Sequence, residues 1–130
     1  MRILCVTSLL TLVLGCNRSS PNLKDVLPVE VQRIWTLKQT TNLAPEQAPE
    51  LVRALGLRRA LQARYEGNGV INLQVFEMNA DASAFELIQK WRQQDGLAVY
   101  KGTYFLVAKA GGADREMTAS FLQVLRETLR

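Results

Sequence analysis

The chain predicts an α+β domain: a single antiparallel sheet of about five strands with helices packed mainly on one face. Three observations carry this. Two runs that alternate apolar and polar residues flank Gly67-Asn68-Gly69, which is the pattern of a β-hairpin. A second pair of β-rich runs turns at Lys101-Gly102. Between and after these hairpins, apolar residues recur at helical spacing. Hairpins demand antiparallel pairing, so the order strand, helix, hairpin, helix, hairpin, helix closes one sheet.

Residues 31–37, VQRIWTL, are rich in β-formers, and Val31, Trp35 and Leu37 fall on one face of a first strand. Pro45 and Pro49 suit a first helical turn. A helix therefore begins near one of them, carries Leu51, Val52, Ala54 and Leu55 inward, and stops at Gly56. In the first hairpin Leu61, Ala63 and Tyr65 alternate with Gln62, Arg64 and Glu66. Beyond the turn, Ile71, Leu73 and Val75 alternate with Asn72 and Gln74. Glycine and asparagine tolerate the positive φ that such a turn needs.

Asp81 is the expected cap of a second helix, in which Ala84, Leu87, Ile88 and Trp91 recur at helical spacing beside Phe85, and Asp95-Gly96 ends it. The returning strand of the second hairpin, residues 104–108, is almost continuously apolar, which suits a central, doubly covered position. Asp114 caps a last helix whose Met117, Phe121, Val124 and Leu125 form one stripe. Arg126 and Arg130 sit at its C-terminal end, where cations complement the helix dipole.

The N-terminal segment has a different character. Arg2 gives a positive start, residues 3–14 are apolar apart from Cys5, Thr7, Ser8 and Thr11, and Asn17-Arg18-Ser19-Ser20 is polar. Twelve helical residues span about 18 Å, against about 30 Å for the hydrocarbon core of a bilayer. The stretch is too short to remain as a membrane span and suits the apolar region of a secretory signal peptide. Residues 1–15 are thus expected to be removed, residues 16–28 to be a flexible tether, and residues 29–130 to form the domain.

Val13-Leu14-Gly15-Cys16 resembles the lipobox of bacterial lipoproteins. The resemblance implies cleavage between Gly15 and Cys16, with diacylglycerol on the Cys16 thiol and further acylation at the new N-terminus. Leu14 is larger than the residue usual there. Two or three acyl chains, at about 0.8 kcal/mol per buried methylene, hold a protein to a membrane almost irreversibly. In lipoproteins of double-membraned bacteria, Asn17 after the cysteine implies sorting to the outer membrane, facing the periplasm. Ordinary signal cleavage is the rival, and would leave a soluble secreted chain with a lone thiol, an oxidation liability.

Composition narrows the chemistry further. Signal removal leaves 115 of the 130 residues, enough for one core. Of the 16 basic residues Arg2 departs, so 15 face 12 acidic ones, a net charge of about +3. Cys5 also departs, which leaves Cys16 alone and no intramolecular disulfide. The chain has no histidine. That excludes Ser-His and Cys-His nucleophile pairs, histidine-bearing zinc sites and imidazole acid–base catalysis. Neither Gly67-Asn68-Gly69 nor Gly111-Gly112 has the Lys-Ser/Thr of a phosphate loop. Despite a pI of about 9.4, no nucleic-acid recognition motif is present. No cofactor and no metal are expected.

Residues 49–85 resemble a bacterial family classified only as a domain of unknown function (number 6599). The shared points are a helix ending at Gly56, Arg64-Tyr65, an alternating strand through Val75 and Met78, and a helix opening at Ala84-Phe85. The resemblance covers about a third of the chain. It implies an exported or envelope protein and brings no catalytic residues.

Arg53, Arg58, Arg59 and Arg64 form a run without an intervening acid, a possible patch for anionic headgroups or envelope glycans. A solvated helix end and strand face would carry the same arginines. Glu66 and Glu77 fall on neighbouring strands, and a pair of carboxylates is the minimum for glycoside hydrolysis, though solvated strand carboxylates are the plainer reading. The hairpin register argues against their meeting. Trp35, Trp91, Tyr100 and Tyr104 either line a groove or pack the core. The expectation is a lipid-anchored envelope protein with a non-catalytic binding or interaction domain. Its alternative is an enzyme working without histidine, for example a carboxylate hydrolase.

Overall fold

The alternating stretch folds as its periodicity requires. In the computed structural model, which describes residues 22–92 and 96–129, β3 (Leu57–Gly67) and β4 (Gly69–Met78) pair antiparallel around Asn68. Gly69 supplies the turn with φ 112°. The second hairpin joins β5 (Leu97–Lys101) to β6 (Tyr104–Gly111), turning at Gly102-Thr103. β6 also pairs with β4. One antiparallel sheet results, and the mixed α+β class is as expected.

The sheet has six described strands rather than about five, because residues 31–37 do not form one strand. β1 (Glu30–Val31) and β2 (Trp35–Leu43) pair across a tight turn, and β2 runs on along β3. Gln32 and Arg33 both take positive φ, 55° and 56°, without the glycine or asparagine that usually announces such a turn. Val31 and Trp35 lie opposite one another and are both buried, which holds the turn in place. The strand order is β1-β2-β3-β4-β6-β5.

A short 3-10 turn at Pro45–Gln47 precedes α1 (Glu50–Ala54), and Gly56 ends it with φ 103°. Val52 is buried, but Ala54 is exposed rather than inward. α2 (Asp81–Lys90) begins with Ala80, not Asp81, in the cap position and stops before Trp91. The expected stop at Asp95 lies outside the described residues. α3 (Arg115–Thr128) has the expected cap: the Asp114 carboxylate accepts the Met117 N–H at 2.7 Å. Arg126 does more than complement the dipole, since its Nε donates to the Tyr100 carbonyl at 2.9 Å. Arg130 lies outside the described residues.

Helices cover both faces of the sheet, α3 on one and α1 and α2 on the other, where the sequence led us to expect them mainly on one. Leu61, Ala63, Tyr65, Ile71, Leu73, Val75 and Leu106 pack with Phe121, Leu122 and Leu125 of α3. Their neighbours in sequence, Ala60, Phe76, Phe105 and Val107, pack instead with Val52 of α1 and with Ala84 and Leu87 of α2. Successive strand side chains point to opposite faces, so the continuous apolar stretches Val75-Phe76 and residues 105–108 need cover on both sides. Each fully buried aromatic or aliphatic side chain contributes about 1.5–3 kcal/mol.

Residues 22–28, expected to be part of the tether, lie against the domain. A 3-10 turn at Leu23–Val26 packs against the sheet, with Leu23 and Leu27 buried in the α3 cluster. The buried Tyr65 hydroxyl donates to the Pro28 carbonyl at 2.7 Å. Among the described residues, both clusters are built from residues between Leu23 and Leu129. Residues 1–21 lie outside the described residues. Among those described, no helix is long and apolar enough to cross a membrane.

Candidate functional site

α1 and α2 cover only part of their face of the sheet. They lie over Ala60, Phe76, Met78, Phe105 and Val107. Elsewhere on that face the strands present Gln39 and Thr41 of β2, Gln62 and Arg64 of β3, Asn72 of β4 and Lys109 of β6, all exposed. The registers place them side by side: Thr41 opposite Gln62, Gln39 opposite Arg64, Arg64 opposite Asn72, and Asn72 opposite Lys109. Four strands at about 4.8 Å spacing give a polar platform about 14 Å across.

Amides and hydroxyls dominate this platform, offering both donors and acceptors. Arg64 reaches Glu66 at 3.0 Å. At one border Gln74 and Lys109 continue into a cleft of about 510 Å³ between α1 and the end of α2, whose lining includes Gln47, Leu51, Lys90, Trp91 and Arg92. Trp91 is held rigid. Its Nε1–H donates to the Gly96 carbonyl at 3.2 Å and its ring meets Phe105 edge-on.

The four arginines read as a possible anionic-surface patch differ in their surroundings. Arg53 is exposed on α1. Arg64 lies on the polar platform. Arg58 and Arg59 share a third position, created by a β-bulge between Leu57 and Arg59 that leaves Arg58 without a partner on β4. Such a bulge lets two consecutive side chains serve one place. Both guanidinium groups close on Glu77: Arg58 Nη1 lies 3.4 Å from Oε1, and Arg59 Nε donates to Oε2 at 2.7 Å. Arg59 Nη2 also contacts Oε2. Glu77 is 6% exposed, not the solvated strand carboxylate its sequence context suggested.

Beside this cluster the 3-10 turn at Leu23–Val26 and the end of β2 frame a second cleft, of about 410 Å³, with Asn22, Lys24, Asn42, Arg58 and Arg59 on its walls. No local pattern in the sequence announces it. Lys24 and Asn22 stand far upstream of the arginines and reach them only through the packing of Leu23 and Leu27.

Glu66 and Glu77 do not approach one another. Glu66 is at the turn end of β3, opposite Val70, and Glu77 stands seven residues beyond Val70 along β4. At about 3.4 Å per residue that is about 24 Å, and the two point to opposite faces. The aromatic residues are likewise divided. Trp35 is 1% exposed and meets Phe121 edge-on, and half-buried Tyr104 packs on the same side. Trp91 and Tyr100 lie on the α2 side. No groove gathers all four. Gly15 and Cys16 lie outside the described residues.

No family model matches the chain, and no curated protein or solved structure matches it either.

Proposed function

We propose that this chain is a lipid-anchored protein of the bacterial cell envelope whose domain is a non-catalytic binding module. The observation that carries the anchor is the sequence Val13-Leu14-Gly15-Cys16 at the end of a short apolar run. Cys16 is the residue acylated, and Gly15 the residue before the cut. In a double-membraned source, Asn17 directs the chain to the outer membrane, facing the periplasm.

What supports binding rather than turnover is the platform of Gln39, Thr41, Gln62, Arg64, Asn72 and Lys109, exposed on a rigid sheet. Such a surface recognises a polar partner, either an envelope protein or a glycan, through hydrogen bonds spread over several strands. Glu66 and Glu77 lie too far apart to act together on one bond.

Globomycin treatment of expressing cells tests the anchor. The account expects an unprocessed precursor to accumulate, and Cys16→Ser to release the protein from the membrane fraction. Unchanged processing, or unchanged membrane association of Cys16→Ser, would overturn it. A photo-crosslinker at Gln62 tests the platform. It should give a discrete adduct that the same group at exposed Glu116 on α3 does not. Equal labelling from both positions would contradict a binding face there.

A further inference from the structure

We propose that the polar platform and the cleft at its border form one binding track for an acidic oligosaccharide, an inference that rests on the platform reading above and names its ligand. Three cationic residues, Lys90, Arg92 and Lys109, line the cleft together with Gln47, Gln74 and Trp91, and no carboxylate does. All three cations are exposed. Lys90 is paired with Glu86 at 2.8 Å, so Arg92 and Lys109 supply the net positive charge. A guanidinium matches the oxygens of an acidic group in pairs, and an ammonium adds a point charge. The Gln47 side-chain oxygen accepts the Ala44 N–H at 3.0 Å, which leaves its two amide hydrogens as donors. At about 510 Å³ the cleft lies within the range of small-molecule sites.

The track does not end at the cleft. Lys109 stands opposite Asn72, Asn72 opposite Arg64, and Arg64 opposite Gln39. Hydrogen-bonding side chains therefore continue across four strands, for about 14 Å. Gln74 joins the two parts, since it stands opposite Gln62 of the platform and lines the cleft. That shape takes an extended chain rather than one small molecule. Its chemistry favours a sugar chain over a protein. The centre of a protein interface is rich in aromatic side chains and depleted in lysine, whereas the platform presents amides, a hydroxyl, Arg64 and Lys109, and no apolar side chain. Amides and hydroxyls match sugar hydroxyls, each of which donates and accepts. At the cleft end Trp91, held by the Gly96 carbonyl and the Phe105 ring, offers ring surface for the C–H side of a sugar. Arg64 is matched by Glu66 at 3.0 Å, so the acidic group of the ligand is read at Arg92 and Lys109.

The test uses the full chain purified from expressing cells in a non-ionic detergent, so that its outcome does not depend on how the N-terminus is processed. Titration calorimetry with tetragalacturonate, a short chain of sugar acids, should give saturable binding. Its methyl ester keeps the rings without the charge, and tetraglutamate keeps the charge without the rings. Each should bind about tenfold more weakly or worse. Lys109→Glu and Arg92→Glu alter exposed side chains, and each should weaken tetragalacturonate binding by about fivefold or more. Far-UV circular dichroism confirms that each variant is folded. Equal binding of tetraglutamate would overturn the saccharide, and equal binding of the methyl ester would overturn the acid. Binding that survives the Lys109→Glu/Arg92→Glu double variant would overturn the cleft. If tetragalacturonate fails to bind while the photo-crosslinker at Gln62 still gives its discrete adduct, the oligosaccharide falls and the platform stands; if neither occurs, both fall.

Discussion

Gly67→Ala probes the junction on which the sheet depends. A Cβ at position 67 would lie 2.2 Å from the Ile34 carbonyl oxygen and 3.1 Å from Trp35 Cε3. Ordinary contact begins at 3.4 Å, so the oxygen must retreat by 1.2 Å, the difference between those two distances. Ile34 belongs to the turn between β1 and β2, and that turn cannot move without lifting Trp35 from Phe121. Overpacking of this kind costs about 1–3 kcal/mol. The stiffer unfolded chain offsets about 0.4–1 kcal/mol. A net loss of about 2 kcal/mol is expected at the upper end of these ranges, which lowers Tm by about 8 °C in a domain of this size. Urea unfolding followed by tryptophan fluorescence measures it, with a shift in the native emission of Trp35 as a second readout. Gly112→Ala is the control, because a Cβ there meets nothing within 4 Å although φ is 97°; it should cost only about 1 kcal/mol. If Gly67→Ala is no more destabilising than Gly112→Ala, the close approach of the β1–β2 turn to β3 is refuted.

Two further substitutions test the buried polar groups. Glu77→Gln removes the charge that Arg58 and Arg59 share and should cost about 1–2 kcal/mol in urea unfolding, whereas Arg58→Ala, with its side chain 55% exposed, should cost under about 0.5 kcal/mol; equal losses would contradict the clasp. Burial holds the Tyr65 phenol protonated well above its ordinary 10.0, so in alkaline solution unfolding releases a proton. Its contribution to stability is intact below pH about 10 and is lost as pH rises further, by up to about 1.4 kcal/mol per pH unit. Tyr65→Phe should lose about 1 kcal/mol at neutral pH with the bond to Pro28 and should flatten that alkaline decline. A decline that persists in the variant would assign it to other groups.

Much of the fold was legible because its signals are local. Strict alternation through residues 61–75, the two glycines beside Asn68 and the Asp114 cap each follow from neighbours in sequence. The β1–β2 turn was not legible, since Gln32 and Arg33 adopt positive φ under pressure from Val31 and Trp35, which pack together only in the folded state. Leu23 and Leu27 looked like part of a polar tether because their partners are on β3 and α3. The second covered face was present in the sequence as the continuous apolar residues 105–108, whose burial on both sides implies two layers of helices.

The site was less legible still. That Arg58 and Arg59 share Glu77 follows from a bulge in β3 at Arg58 that no local signal announces. The cleft beside them needs Lys24, brought across by tertiary packing. The amide platform appeared in the sequence only as the polar half of an alternating pattern. That α1 and α2 leave it uncovered depends on how short those helices are.

The claim on which the rest depends is that Cys16 carries lipid, and the intact mass of the protein extracted from membranes tests it most directly. The account predicts a chain that begins at Cys16, heavier than its sequence by a diacylglycerol and an amide-linked acyl chain, with fragment ions placing both on that residue. A chain that begins at Met1, or one that carries an unmodified Cys16, would contradict it.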